Sequence, residues 1–174
     1  MHPDTCARAP RTAASAEVGA KPVALIATET PPDAGAGNIT VMMNWTPDLS
    51  TGVPKLDEQH KEIFEWLAEL QSATADERTL FGVYVITRLK HYMREHFATE
   101  EALMKTAGYP GLAQHMAKHA EFRAKLEELQ LKSIAEDISE DTVNFLTEWL
   151  THHIVETDMA YVPYLDRLAT GAEN

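Results

Sequence analysis

Residues 82–103 read GVYVITRLKHYMREHFATEEAL. Taken at helical period, Gly82, Ile86, Leu89, Met93, His96, Glu100 and Leu103 fall into one row, alternating spacings of four and three. That spacing predicts a helix with one face turned to a core. Asp76 reads as its N-cap and Gly108 as the residue that ends it, so the helix runs to about 107. At about 30 residues it is long for a globular helix and suited to a bundle. Two members of the apolar row are not apolar. His96 and Glu100 stand about 6 Å apart along the axis and about 40° round it, so imidazole and carboxylate point the same way.

The neighbouring stretches repeat this pattern. Upstream, a helix from about 56 to 73 opens on Asp57 and Glu58, acids that favour a helix N-terminus. Its inward stripe is His60, Ile63, Phe64, Leu67 and Leu70. Downstream, Gly108-Tyr109-Pro110-Gly111 is a tight link, which implies an antiparallel neighbour. The next helix, about 112 to 132, carries Leu112, His115, His119, Phe122, Leu126 and Leu129 on one face. Ser139, with Asp141 and Thr142 behind it, opens a fourth helix bearing Leu146, Trp149, Leu150, His153 and Asp158. Pro163 should kink or end it. No Asn-Gly hairpin or alternating strand is evident. The expected fold is all-α, an up-down-up-down four-helix bundle.

The rest of the composition bounds the function. Of the 174 residues, 44% are hydrophobic, enough for one core, and no apolar run reaches the ~20 residues of a membrane span. A net charge of −12 argues against nucleic acid and anionic membranes as partners. The one cysteine, Cys6, excludes an intramolecular disulfide and thiolate-rich metal sites, and fits a cytoplasmic protein. Residues 1–41 are rich in Ala, Pro, Thr and Gly and read as a disordered tail before a 42–170 domain. Within them, Pro22-Val23-Ala24-Leu25-Ile26-Ala27 is too short for a signal-peptide core. Asn44 to Pro54 reads as an extended arm anchored by Trp45. A monomer is favoured.

Five histidines and two acids thus lie on core-facing rows of four helices. A single buried imidazole is an ordinary packing residue; His91 and His152 lie off these rows and read as solvated, and His2 is in the tail. Burying all seven groups without a metal would leave charges and lone pairs uncompensated, at several kcal/mol each. Imidazole with carboxylate and no thiolate suits iron, manganese, zinc or copper, and seven ligands exceed one tetrahedral zinc. Five imidazoles, two bridging carboxylates and a bridging oxide or hydroxide would leave one position open on two octahedral ions. That vacancy admits a small diatomic molecule. The five-residue step from His153 to Asp158, about 140° on a regular helix, calls for a local loosening such as a π-bulge.

The chain from Trp45 to Leu168 resembles the hemerythrins, most closely the bacterial ones. The resemblance rests on Asp57-Glu58-Gln59-His60-Lys61, on His96-Phe97 with Glu100-Glu101, on Gly108-Tyr109-Pro110 with His115 and His119, and on Trp149-Leu150 with His153-Ile154 and Asp158. It implies a non-haem di-iron centre that binds O2 reversibly, for oxygen transport, storage or delivery. His115, His119 and His153 would hold one iron; His60 and His96 would hold the other, which keeps the vacancy. Glu100, Asp158 and an oxo or hydroxo group would bridge the two. Ile63, Phe97, Trp149 and Leu150 match the family's apolar O2 pocket. Competing functions are O2 or NO sensing or scavenging, and a di-iron oxidase or peroxidase. The ferritin-like oxidases use Glu-rich sites with Glu-x-x-His pairs, absent from these ligand positions, so the expectation is a carrier, not an enzyme.

Overall fold

The computed structural model describes residues 25–27 and 41–170. Four long helical stretches form an antiparallel bundle: α1 Pro54–Ser72, α2 Ala75–Thr106, α3 Leu112–Lys132, and α4 Ser139–Trp149 continued by a π-helical segment Leu150–Asp158. A short α5, Val162–Thr170, closes the chain. Helix α2 is the spine, packing on α1, α3, α4 and α5, while α1 also packs on α4. None of the described helices is long and apolar enough to cross a membrane. Most of the reading of 1–41 as a disordered tail, with His2 and Cys6, lies outside the described residues. One stretch of it does not: β1, Leu25–Ala27, pairs antiparallel with β2, Val41–Met43, Leu25 opposite Met43. The all-α bundle expected from the sequence thus carries one short ladder beside it among the described residues. Met43 is buried in the bundle core and accepts a hydrogen bond from the Thr151 hydroxyl to its sulfur.

The helix limits follow from local chemistry. Helix α2 begins at Ala75, one residue before the Asp76 expected as its cap. Thr74 is the N-cap, in a reciprocal capping box with Glu77, so the Thr-x-x-Glu pattern prevails over the lone acid. Its other end is as expected: Gly108 has φ of 65°, and the Tyr109 and Gly108 amides donate back to the Met104 and Lys105 carbonyls. This is a Schellman ending, and it reverses the chain into α3. Asp57 does more than favour a dipole. Its carboxylate accepts from the Thr51 amide at 2.7 Å and the Thr51 hydroxyl at 2.9 Å, fastening the incoming arm to α1.

Gly82, the one small residue in the core row of α2, lies where α4 begins. A Cβ there would stand 3.2 Å from the Ser139 Cα. Asp137 joins the same two helices, accepting from the Ser139 amide and from the Thr79 hydroxyl, each at 2.8 Å. Pro163 neither kinks nor ends a continuing helix. The chain turns at 159–161 and Pro163 becomes the second residue of α5, where its missing N–H costs no hydrogen bond. The main core joins α1–α4 through residues such as Ile63, Leu89, Met93, Phe97, Phe122 and Leu150. A smaller cluster of Leu56, Met104, Tyr161, Val162 and Leu165 closes the bundle end at α5. Between these clusters lies the polar set.

Candidate metal centre

All seven inward polar residues are buried, at 0–3% exposure. The helices bring them together as two groups sharing one residue: Glu100, His115, His119 and His153 form one, and His60, His96 and Glu100 the other. Glu100 Oε2 lies 3.5 Å from His96 Nε2, 3.1 Å from His119 Nε2 and 3.8 Å from His115 Nε2. Asp158 connects the same two groups with separate atoms. Its Oδ2 is 3.4 Å from His60 Nε2, while Oδ1 is 3.2 Å from His153 Nε2 and 3.5 Å from His115 Nε2.

The π-helical segment makes that arrangement possible. On a regular helix Asp158 would point away from His153; i→i+5 hydrogen bonding widens the turn and returns residues five apart to nearly the same face. The loosening expected at one point extends over nine residues.

These contacts are not hydrogen bonds. The Nε2 atoms of His60, His115, His119 and His153, Oε2 of Glu100 and both Asp158 oxygens are buried without a hydrogen-bond partner. Orphaned polar atoms at this depth would cost several kcal/mol in a finished core. Their spacing has another reading. Two ligand atoms about 2.1 Å from one ion, at right angles, stand about 3 Å apart, close to the shorter separations here. The residues fit metal binding, with Glu100 and Asp158 each facing histidines of both groups.

The ionisation pattern agrees. Burial, opposed by the Glu100 charge, pushes His96 down to about 4, and burial likewise pushes His153 down to about 2. Both are neutral, as ligands must be. Burial also works against a charged His60, but the adjacent Asp158 carboxylate outweighs it and raises that pKa. Burial alone would raise Glu100, yet the surrounding imidazoles hold it well below the usual carboxylate range. Asp158, buried and beside the Glu100 charge, is pushed up to about 6. Two carboxylates in one dry site repel unless cations join them.

An outer layer that sequence reasoning missed orients these ligands. His96 Nδ1 donates to Gln59 Oε1 at 3.0 Å, and His119 Nδ1 to Glu101 Oε1 at 2.9 Å. Each bond directs Nε2 inward. The buried Tyr161 hydroxyl donates to Glu100 Oε1 at 2.8 Å. Gln59 and Glu101 stand beside ligand residues in the sequence, a signal too common to single them out. Tyr161, in the turn after Asp158, carried none.

The four apolar residues expected around an open position are placed differently from one another. Ile63 and Leu150 are fully buried in the main core. Phe97 stacks on His119, ring centroids 3.6 Å apart, and Trp149 on His153 at 3.9 Å. These two rings therefore cover the three-histidine group; Phe97 meets His96 only at 5.8 Å. His91 is exposed, and exposed His152 faces Glu156 at 3.6 Å, so neither joins the centre.

Known proteins resemble this chain over most of its described length. Residues 51–165 match the hemerythrin HHE cation binding domain. A bacteriohemerythrin of Stenotrophomonas maltophilia is 39% identical over 122 residues, 69% of this chain and 79% of that protein. One from Methylococcus capsulatus is 34% identical over 71% of this chain and 97% of its own length. A myohemerythrin of Theromyzon tessulatum is 31% identical over 67% and 88%. A crystal structure of wild-type hemerythrin superposes with a TM-score of 0.62 at 34% identity, covering 72% of this chain and 98% of that one.

Proposed function

The chain belongs to the hemerythrin family, which binds O2 at a di-iron site, and on that premise we propose that it is a reversible dioxygen carrier rather than an enzyme. In this reading His115, His119 and His153 would hold one non-haem iron and His60 and His96 the other, with Glu100 and Asp158 shared between them. When bound there, ferrous iron would supply the electrons that dioxygen takes up on binding and returns on release. The observation that carries the reading is the division of Asp158, one oxygen toward His60 and the other toward His115 and His153.

The protein's own side chains do the remaining work. Gln59 and Glu101 fix the ring tautomers of His96 and His119 through their Nδ1 protons. Tyr161 steadies Glu100 at the oxygen that the histidines leave free. Ile63, Phe97, Trp149 and Leu150 make the walls apolar, so water and protons that promote irreversible oxidation are excluded. Nitrogen-rich ligation suits holding and releasing a molecule more than transforming it. We take residues 42–170 as the functional unit, storing or delivering oxygen in the cytoplasm as a monomer.

The test is metal analysis with absorption spectroscopy. Anaerobic ferrous protein should contain two irons per chain, gain a visible band on aeration and lose it under vacuum. Irreversible conversion to the oxidised form in one cycle would favour an oxidase, and fewer than two irons would overturn the di-iron assignment.

A further inference from the structure

The two outer hydrogen bonds look alike in length but differ in charge. His119 Nδ1–H donates to a carboxylate, Glu101, at 2.9 Å; His96 Nδ1–H donates to a neutral carboxamide, Gln59, at 3.0 Å. Both imidazoles are buried, His119 fully, while the acceptors Gln59 and Glu101 sit half-buried at the edge of the core, so each bond is partly shielded from water. A carboxylate accepting the outer proton draws that proton toward itself and increases electron density on the inward nitrogen. A carboxamide does so far less. The Nδ1 atoms of His60, His115 and His153 have no such partner among the described residues. The enrichment therefore falls on one ligand in one group.

The surroundings hold this difference in place. Phe97 lies flat against His119, at 9° and 3.6 Å, which fixes the imidazole plane that must meet Glu101. Tyr92 stacks at 5.6 Å and 20° on His96, so that ring also has a set orientation. Glu101 is on α2 and His119 on α3, while Gln59 is on α1 and His96 on α2. The two bonds thus belong to different helix pairs and can be altered separately.

We propose that Glu101 and Gln59 set the order in which the two ions are oxidised: the Glu101–His119 bond makes the ion of His115, His119 and His153 the first to give up an electron. Gln59 leaves the His60/His96 ion the more reluctant donor. Both are positioning and tuning residues, since neither reaches the ions. The inference rests on the di-iron reading above. In a stepwise titration of the anaerobic ferrous protein with ferricyanide, each step moves one electron from one ferrous ion to one ferricyanide, yielding ferric ion and ferrocyanide.

The direction of change tests the assignment. The titration is followed by the electron paramagnetic resonance signal of the mixed-valent state, which reports how far apart the two one-electron steps lie. Glu101→Gln removes the donor from the ion oxidised first, and Gln59→Glu adds one to the ion oxidised second. Each should narrow the separation and reduce the maximum mixed-valent population, by roughly tenfold in its formation constant for a change of about 1.4 kcal/mol. If the His60/His96 ion were oxidised first, both substitutions would widen the separation, and the proposal would be overturned. An unchanged separation in both variants would overturn it equally. Both replacements are near-isosteric; circular dichroism and iron content confirm that the compared proteins are folded and loaded. A wild-type chain without two irons sinks the di-iron reading and the inference with it. Wild-type protein with two irons and reversible O2 binding, but variants that do not narrow the gap, sinks the inference alone.

Discussion

The Tyr161 hydroxyl donates a 2.8 Å hydrogen bond to Oε1 of Glu100, the oxygen that the facing histidines leave free. Both side chains are at 0% exposure, so water cannot replace either partner. Tyr161→Phe keeps the ring and removes only the donor. Leaving a buried carboxylate oxygen unsatisfied costs about 1–3 kcal/mol. Urea denaturation of the metal-free variant should show a loss in that range, and chelators should strip iron about tenfold faster. Unchanged stability and iron retention would mean that the bond does not position Glu100.

Acid should destabilise the metal-free protein. His96 and His153 lie below the ordinary 6.5 because burial disfavours their charged forms. Above pH 6.5 they are neutral in both folded and unfolded chains. As pH falls below 6.5, the unfolded chain takes up protons that the folded one does not, so stability declines toward about pH 4. Asp158, shifted up to about 6, takes up its proton in the folded chain first and opposes part of this loss, whereas the gain from the raised His60 is complete by pH 6.5. The expected outcome is a melting temperature that decreases from pH 6.5 to 4. A flat or rising profile would show that Asp158 dominates.

Leu150 is fully buried at the start of the π-helical segment. Leu150→Ser should leave two irons bound while admitting water beside the centre. The oxygenated form would then convert irreversibly faster than wild type, measured as decay of its visible band. An equal lifetime would remove Leu150 from the proposed pocket.

Thr74→Ala tests stability apart from the centre. The substitution deletes one half of the capping box with Glu77 on an exposed turn. It should cost about 1 kcal/mol in denaturant unfolding of the metal-free protein, with iron content and oxygen binding unaltered. Lost iron would indicate that the end of α2 communicates with His96.

The helical rows were legible because burial repeats every three or four residues, and the same rows carried His60, His96, Glu100, His115, His119, His153 and Asp158. Gly108 was legible because a left-handed turn favours glycine. Thr74 was overlooked in favour of Asp76, since either can cap and only the reciprocal bond to Glu77 decides. Gln59, Glu101 and Tyr161 were not legible. Their partners belong to other helices or to a distant stretch of the chain, and that pairing depends on helix rotation that spacing alone does not express. The ladder of Leu25–Ala27 with Val41–Met43 likewise joins segments with no alternating pattern. Phe97 and Trp149 could be placed in the core, but not over particular imidazoles.

The π-helical stretch from Leu150 to Asp158 makes chain length itself a part of the binding site. Five residues in a widened turn cover about the rotation and rise of four in an α-helix, so the extra residue is absorbed between His153 and Asp158 and the chain beyond it keeps its place, with Tyr161 on Glu100 and α5 on α2. A residue removed from the regular part of α4 has no such refuge: Asp158, Tyr161 and α5 would turn together by about 100°. A designer shortening this helix would find each side chain retained and the metal cage dismantled.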